Sequence, residues 1–94
     1  MPTASALVNT DRPARYLKQL VGHFGAKINA ELDGDQGRLT FDFGTCVLQA
    51  RADGLALQAT AESAEDLERL TDVVARHLIR FGTKDELIVD WSGS

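Results

Sequence analysis

The sequence predicts an α+β fold, a two-layer sandwich in which two helices cover one face of a largely antiparallel sheet. Its apolar residues follow a helical period in two segments and alternate in six others, giving the order β-α-β-β-β-β-α-β. Short turn sequences separate the four central alternating segments, which is typical of an antiparallel meander with one buried face. We expect one domain over residues 1–94, with 92–94 as a flexible tail.

The first strand and helix follow from residues 4–24. Residues 4–9 form a weakly marked strand, after which Thr10 or Asp11 can cap a helix with Pro13 in its first turn. This helix is expected to end at residue 23 or 24. Its apolar stripe consists of Leu17, Leu20, Val21 and Phe24.

The central meander is predicted over residues 28–33, 39–43, 46–51 and 55–60. Gly34 to Gly37 is a turn signal, and Asp53-Gly54 favours a tight hairpin with positive backbone angles. The side chains in these segments alternate between apolar and polar, so one face of the sheet can be buried while the other faces water.

The second helix has clear ends. Ser63 and Asp66 form a capping-box pattern, in which the hydroxyl satisfies a free backbone amide and the acid can reach back. Gly82 supplies a permissive residue past the last turn. Acidic residues gather at the start and basic residues, including Arg80 and Lys84, at the end, as the helix dipole favours. A last strand is predicted over residues 86–91.

Charge and composition exclude several classes of protein. The net charge of -4 disfavours nucleic acid as a partner and disfavours polybasic attachment to a membrane. The single cysteine excludes an internal disulfide and a zinc site of several thiolates. The N-terminus does not resemble a signal peptide, and no apolar stretch is long enough for a membrane span, so we expect a cytoplasmic protein.

The chain carries no recognisable enzyme motif, whether a phosphate loop, a nucleophile elbow or a metalloprotease helix. A binding or accessory module without a cofactor is therefore favoured over an enzyme, and a small enzyme of unidentified chemistry is the third alternative. The sequence leaves a homodimer open.

One flank of the first helix is the predicted binding surface. Arg12, Tyr16 and His23 share this flank, and Lys27 follows if the helix persists. Three bases and a phenol can bind an acidic ligand or an acidic protein partner. The competing interpretation is an ordinary solvated flank with Tyr16 at the edge of the core.

A metal-binding or redox site is the alternative prediction, built from His23, Cys46 and His77. His77 falls within the apolar stripe of the second helix, which favours a neutral core histidine. Cys46 shares a strand face with Leu48, which favours a core thiol. The three residues are far apart in sequence, which counts against one shared site.

The chain resembles a small bacterial family of unknown function. The resemblance lies in Arg15 to Leu20, His23-Phe24, Lys27, Gly37-Arg38, Phe43 to Cys46, Val74 to Phe81, and a closing Glu86-Leu87 with Trp91. Some members resemble a domain joined to siderophore-interacting proteins, the flavin-dependent ferric-siderophore reductases. The resemblance implies an accessory role in an iron-related context and supplies no catalytic residue.

Two positions depart from that family pattern. This chain has Val21 where members often carry a cysteine, and Ala26 where they often carry a second histidine. A metal or redox site built on those residues with His23 would be incomplete here.

Overall fold

The computed structural model describes residues 2–82 and 87–93 and confirms the predicted α+β fold. The two helices are α1 (Pro13–Phe24) and α2 (Ala64–Phe81). The strands are β1 (Thr3–Val8), β2 (Asn29–Asp33), β3 (Gln36–Phe41), β4 (Gly44–Arg51), β5 (Gly54–Thr60) and β6 (Ser92–Gly93).

The strands form one antiparallel sheet in the order β2-β3-β4-β5-β1-β6. Helix α1 packs on β2, β3, β4 and β5, and α2 packs on β4, β5 and β1, so both cover the same face. Alternate strand residues point into this layer because side chains alternate along a strand. The core residues from the strands include Val8, Leu39, Cys46, Leu48, Leu55, Leu57 and Ala59.

Helix α1 approaches the sheet closely because Gly37 has no side chain. A Cβ atom at Gly37 would lie 2.8 Å from both Leu17 Cδ1 and Val21 Cγ2. Gly37 is therefore a strand residue beneath the helix. The turn itself is Gly34-Asp35, because Asp33 pairs with Gln36 and Gly34 has a φ of +60°.

The start of α2 confirms the predicted cap. Ser63 is the N-cap, and its hydroxyl oxygen accepts a hydrogen bond from the Asp66 backbone N–H at 3.1 Å. The C-terminal glycine acts differently from the prediction, because Gly82 has a φ of −105°. A Cβ atom at Gly82 would collide with the Leu87 side chain, so this glycine is needed for close packing.

Several predicted element ends differ from the structure. Strand β3 covers Gln36–Phe41 instead of residues 39–43, and β4 begins at Gly44 instead of residue 46, because the turn lies at residues 42 and 43. The N-cap residue of α1 is Arg12, and Thr10 accepts a hydrogen bond from the Arg12 backbone N–H at 3.1 Å instead of capping the helix directly. The β4–β5 turn consists of Ala52 and Asp53, one residue earlier than predicted, because Arg51 pairs with Gly54.

The predicted last strand is wrong over residues 87–91, which form no ladder, and Glu86 lies outside the described residues. Instead, Ser92 and Gly93 of the predicted tail form β6, in which Ser92 pairs with Ser5 and Gly93 pairs with Ala4, and Ser94 lies outside the described residues. Leu87 and Trp91 do pack against the core. The apolar–polar alternation over residues 87–91 reflects which side chains face the core, and such alternation does not require backbone pairing.

Neither helix in the described part of the chain is long and apolar enough to cross a bilayer.

Candidate functional site

Two histidines from different helices meet at the α1–α2 interface. His23 lies in the last turn of α1 and His77 lies in α2, and their ring centroids are 4.9 Å apart. The helices run antiparallel here, since the Tyr16 hydroxyl lies beside Gly82 while His23 lies beside His77. The fold thus joins residues that are far apart in sequence.

Aromatic rings hold the His23 side chain in place. Its ring makes edge contacts with Phe24, at a centroid distance of 5.3 Å, and with Phe81, at 5.4 Å. Phe24 also packs on His77 at 4.7 Å. His23 nevertheless stays exposed, whereas Phe24 is buried. The His23 imidazole is therefore oriented by its neighbours and open to solvent, as a binding group needs to be.

His77 is partly buried at this interface, in keeping with its place in the apolar stripe of α2. Its Nδ1 lies 2.7 Å from the Val73 carbonyl oxygen. Because a carbonyl can only accept a hydrogen bond, Nδ1 carries the proton and donates. In the neutral ring Nε2 is then the acceptor.

Positive groups lie near His23. Desolvation, His77, Lys27 and Arg80, in that order, lower the pKa of His23 below its ordinary value of 6.5. The neutral form of the His23 imidazole is therefore favoured. Lys27 and Arg80 are exposed, so they add positive potential that attracts anions to the same surface. We call His23, His77, Lys27 and Arg80 the histidine-pair surface.

The predicted binding flank is divided in the structure. His23 and Lys27 belong to the histidine-pair surface, whereas Tyr16 is only 4% exposed and packs in the core. Arg12 caps the opposite end of α1, roughly 16 Å from His23 along the helix axis at 1.5 Å per residue. Tyr16 is buried because its ring lies on the side of α1 that faces α2.

Sequence reasoning misses two members of this surface. The pattern assigns His77 to the core stripe or to a metal site, and it treats Arg80 only as a charge near the helix end. The spacing of His77 and Arg80 could have indicated that they belong to one surface, because residues three apart share a helix face. The partner face on α1 cannot be identified without the packing of the two helices.

Cys46 does not join the two histidines. Its side chain lies on the inner face of β4 with 0% exposure, and burial raises the pKa of the thiol to about 12. Within residues 2–82 and 87–93, no three His, Cys, Asp or Glu side chains form a group that could hold a metal ion. The alternative site of His23, Cys46 and His77 thus loses its cysteine, because β4 directs that side chain into the core.

The open face of the sheet carries a shallow cavity of about 550 Å³. Its lining mixes polar and apolar side chains, among them Ser5, Leu7, Val47 and Arg51. Arg51 lies 3.5 Å from the Asp53 carboxylate, so its charge is partly compensated. This face is the second place where a ligand could bind.

Comparison with known proteins places the chain in a family. A model of the family described as "Uncharacterized protein conserved in bacteria (DUF2218)" matches residues 5–92. The NMR structure of PA4090 from Pseudomonas aeruginosa is similar over 98% of this chain and 96% of that one, with 29% sequence identity and a TM-score of 0.82. A search of curated proteins found no significant match. Because the match extends from β1 to β6, the chain belongs to the DUF2218 family of conserved bacterial proteins.

Proposed function

We propose that this protein is a small binding module that holds an anionic ligand at the histidine-pair surface. The supporting observation is the convergence of His23, His77, Lys27 and Arg80 at one end of the α1–α2 interface. These groups come from two helices and the segment after α1. On a chain of net charge -4, this cluster creates a local positive field.

The electrostatics favour an anion over a metal cation. Two imidazoles alone make a weak metal site, since protein metal sites commonly use three or four ligands. Lys27 and Arg80 also oppose the approach of a cation, because both carry a positive charge near His23. For an anion the same two charges are favourable.

The resemblance to domains joined to ferric-siderophore reductases extends the proposal to an iron-related ligand. We propose that the anion is a ferric chelate and that the protein acts as a cytoplasmic accessory in handling it. The exposed imidazole beside Phe81 suits an aromatic chelating ring, and Lys27 and Arg80 suit its negative charge. A ferric tris-catecholate combines both properties.

The test compares two charge reversals of equal size. Lys27→Glu with Arg80→Glu reverses the histidine-pair surface, whereas Arg12→Glu with Arg15→Glu makes the same change in net charge elsewhere on α1. Titration with a ferric tris-catecholate should show a loss of about tenfold or more in the first variant, as expected for a loss of about 1.4 kcal/mol. The control should bind nearly as well as the wild type, and the difference should shrink as salt rises.

Equal losses in the two variants would show that binding follows net charge alone and would place the site elsewhere, with the open sheet face as the next candidate. A neutral ferric trihydroxamate serves as the ligand control. If a simple aromatic anion binds at this surface and neither ferric chelate does, the iron link fails while anion binding stands.

A further inference from the structure

We infer that the histidine-pair surface selects an anion that presents a flat aromatic ring, and that His23 takes up a proton when that anion binds. This inference rests on the proposed function and adds the ligand class and the coupling to protons.

The selection for an aromatic ligand follows from how the His23 ring is held. Phe24, His77 and Phe81 contact it through their rings, yet the residue stays exposed. An exposed ring whose orientation is already fixed loses little side-chain entropy when a flat ligand stacks on it. A protonated imidazole would add a favourable interaction with the ligand's π-system.

The proton coupling follows from the charges around the pair. His77 and Arg80 face His23 from α2, Lys27 faces it from the segment after α1, and the neighbouring Phe24 and Phe81 rings are uncharged. A proton on His23 therefore adds a positive charge to a positive surface. In the free protein this repulsion, together with desolvation, keeps the pKa of His23 low.

The position of His23 makes its protonated form accessible. His23 lies in the last turn of α1, where the negative end of the helix dipole favours a cation. A bound anion cancels the repulsion from Lys27 and Arg80, so the His23 imidazole becomes easier to protonate.

Linkage gives the direction of the pH effect. A ligand that raises the proton affinity of His23 must itself bind more tightly when His23 is protonated. Affinity should thus rise as pH falls, by up to about tenfold per pH unit for uptake of one proton. Above the ordinary histidine pKa, Lys27 and Arg80 alone attract the ligand and binding is weaker.

Benzene-1,3-disulfonate is a suitable probe, because it is aromatic and keeps its charge over the titration range. Sulfate is the non-aromatic comparison. The chain has only two histidines, so the NMR ring resonances of His23 and His77 can be assigned from His23→Gln and His77→Gln. Binding should weaken by about tenfold or more between about pH 5.5 and about pH 7.5, the range in which histidine titrates.

Saturating disulfonate should also raise the pKa of His23, and His23→Gln should flatten the pH dependence. Binding that is independent of pH and equal in His23→Gln would overturn the proton coupling, while its loss in Lys27→Glu with Arg80→Glu would still support the proposed function. Sulfate binding as tightly as the disulfonate would overturn the aromatic preference. If neither probe binds at any pH, the proposed function fails as well.

Discussion

Cys46 and His23 show that position in a two-layer fold determines whether a titratable side chain is buried or reaches solvent. Cys46 lies under the helices, and its buried thiol has a pKa of about 12. His23 lies at the end of α1, exposed, with a pKa lowered by desolvation and neighbouring positive groups. Burial keeps the thiol neutral and out of reach, whereas exposure lets the imidazole titrate and meet a ligand.

The same division runs through helix α1. One side packs on the sheet with side chains such as Leu17 and Val21, and its C-terminal turn presents His23. Substitutions on the packed side should change the free energy of unfolding. Substitutions at the histidine-pair surface should change binding and pH dependence.

The largest expected effect is on the packed side, from Gly37→Val. The added side chain would enter the space of Leu17 and Val21, so we expect the free energy of unfolding to fall by about 3 kcal/mol, the upper part of the range for overpacking. Urea denaturation measures it. Gly22→Ala is the control, because Gly22 is exposed in α1 and a Cβ atom added there would meet nothing within 4 Å. That variant should gain roughly 0.5–1 kcal/mol from helix propensity.

A smaller effect is expected from Cys46→Ser, which places a hydroxyl in a fully buried position. Stability should fall by about 1 kcal/mol or somewhat more from desolvation of the hydroxyl. Binding of the disulfonate probe should stay at the wild-type level. A change in affinity at matched folded fraction would mean that Cys46 and the histidine-pair surface are coupled, against the separation seen here.

The reactivity of the Cys46 thiol is a second test of how well the inner face of the sheet is buried. The Cys46 thiol should react with an alkylating reagent only as fast as the protein opens, because both burial and its pKa of about 12 suppress the thiolate. The reaction should accelerate in urea. Rapid labelling of the folded protein would contradict the placement of this side chain.

The smallest effect is on the pH dependence of stability. The pKa of His23 in the folded protein lies below 6.5, near which the unfolded chain binds its proton. The stability that neutral His23 contributes is therefore fully present above pH 6.5. It is lost as the pH falls from 6.5 toward the pKa of His23 in the folded protein. His23→Gln should lose less stability on acidification than the wild type. Lys18→Gln, an exposed change on α1, is the control. Denaturant midpoints of both variants and the wild type, compared above and below pH 6.5, measure the effect.

Local patterns in the sequence determined the elements of this fold. The Ser63 cap depends on residues within one helical turn, and the strand alternation depends only on neighbours along the chain. Both could be predicted without the tertiary structure. The same local reasoning failed at residues 87–91, because burial of Leu87 and Trp91 gives alternation without strand pairing.

Only the tertiary structure decided which residues share a site. His23 and His77 meet because α1 and α2 pack antiparallel on one face of the sheet, a contact between distant segments that no local period encodes. The same packing buries Tyr16 and directs Cys46 into the core. Local periodicity determines which face of an element is apolar, whereas helix packing determines which polar side chains come together at its edge.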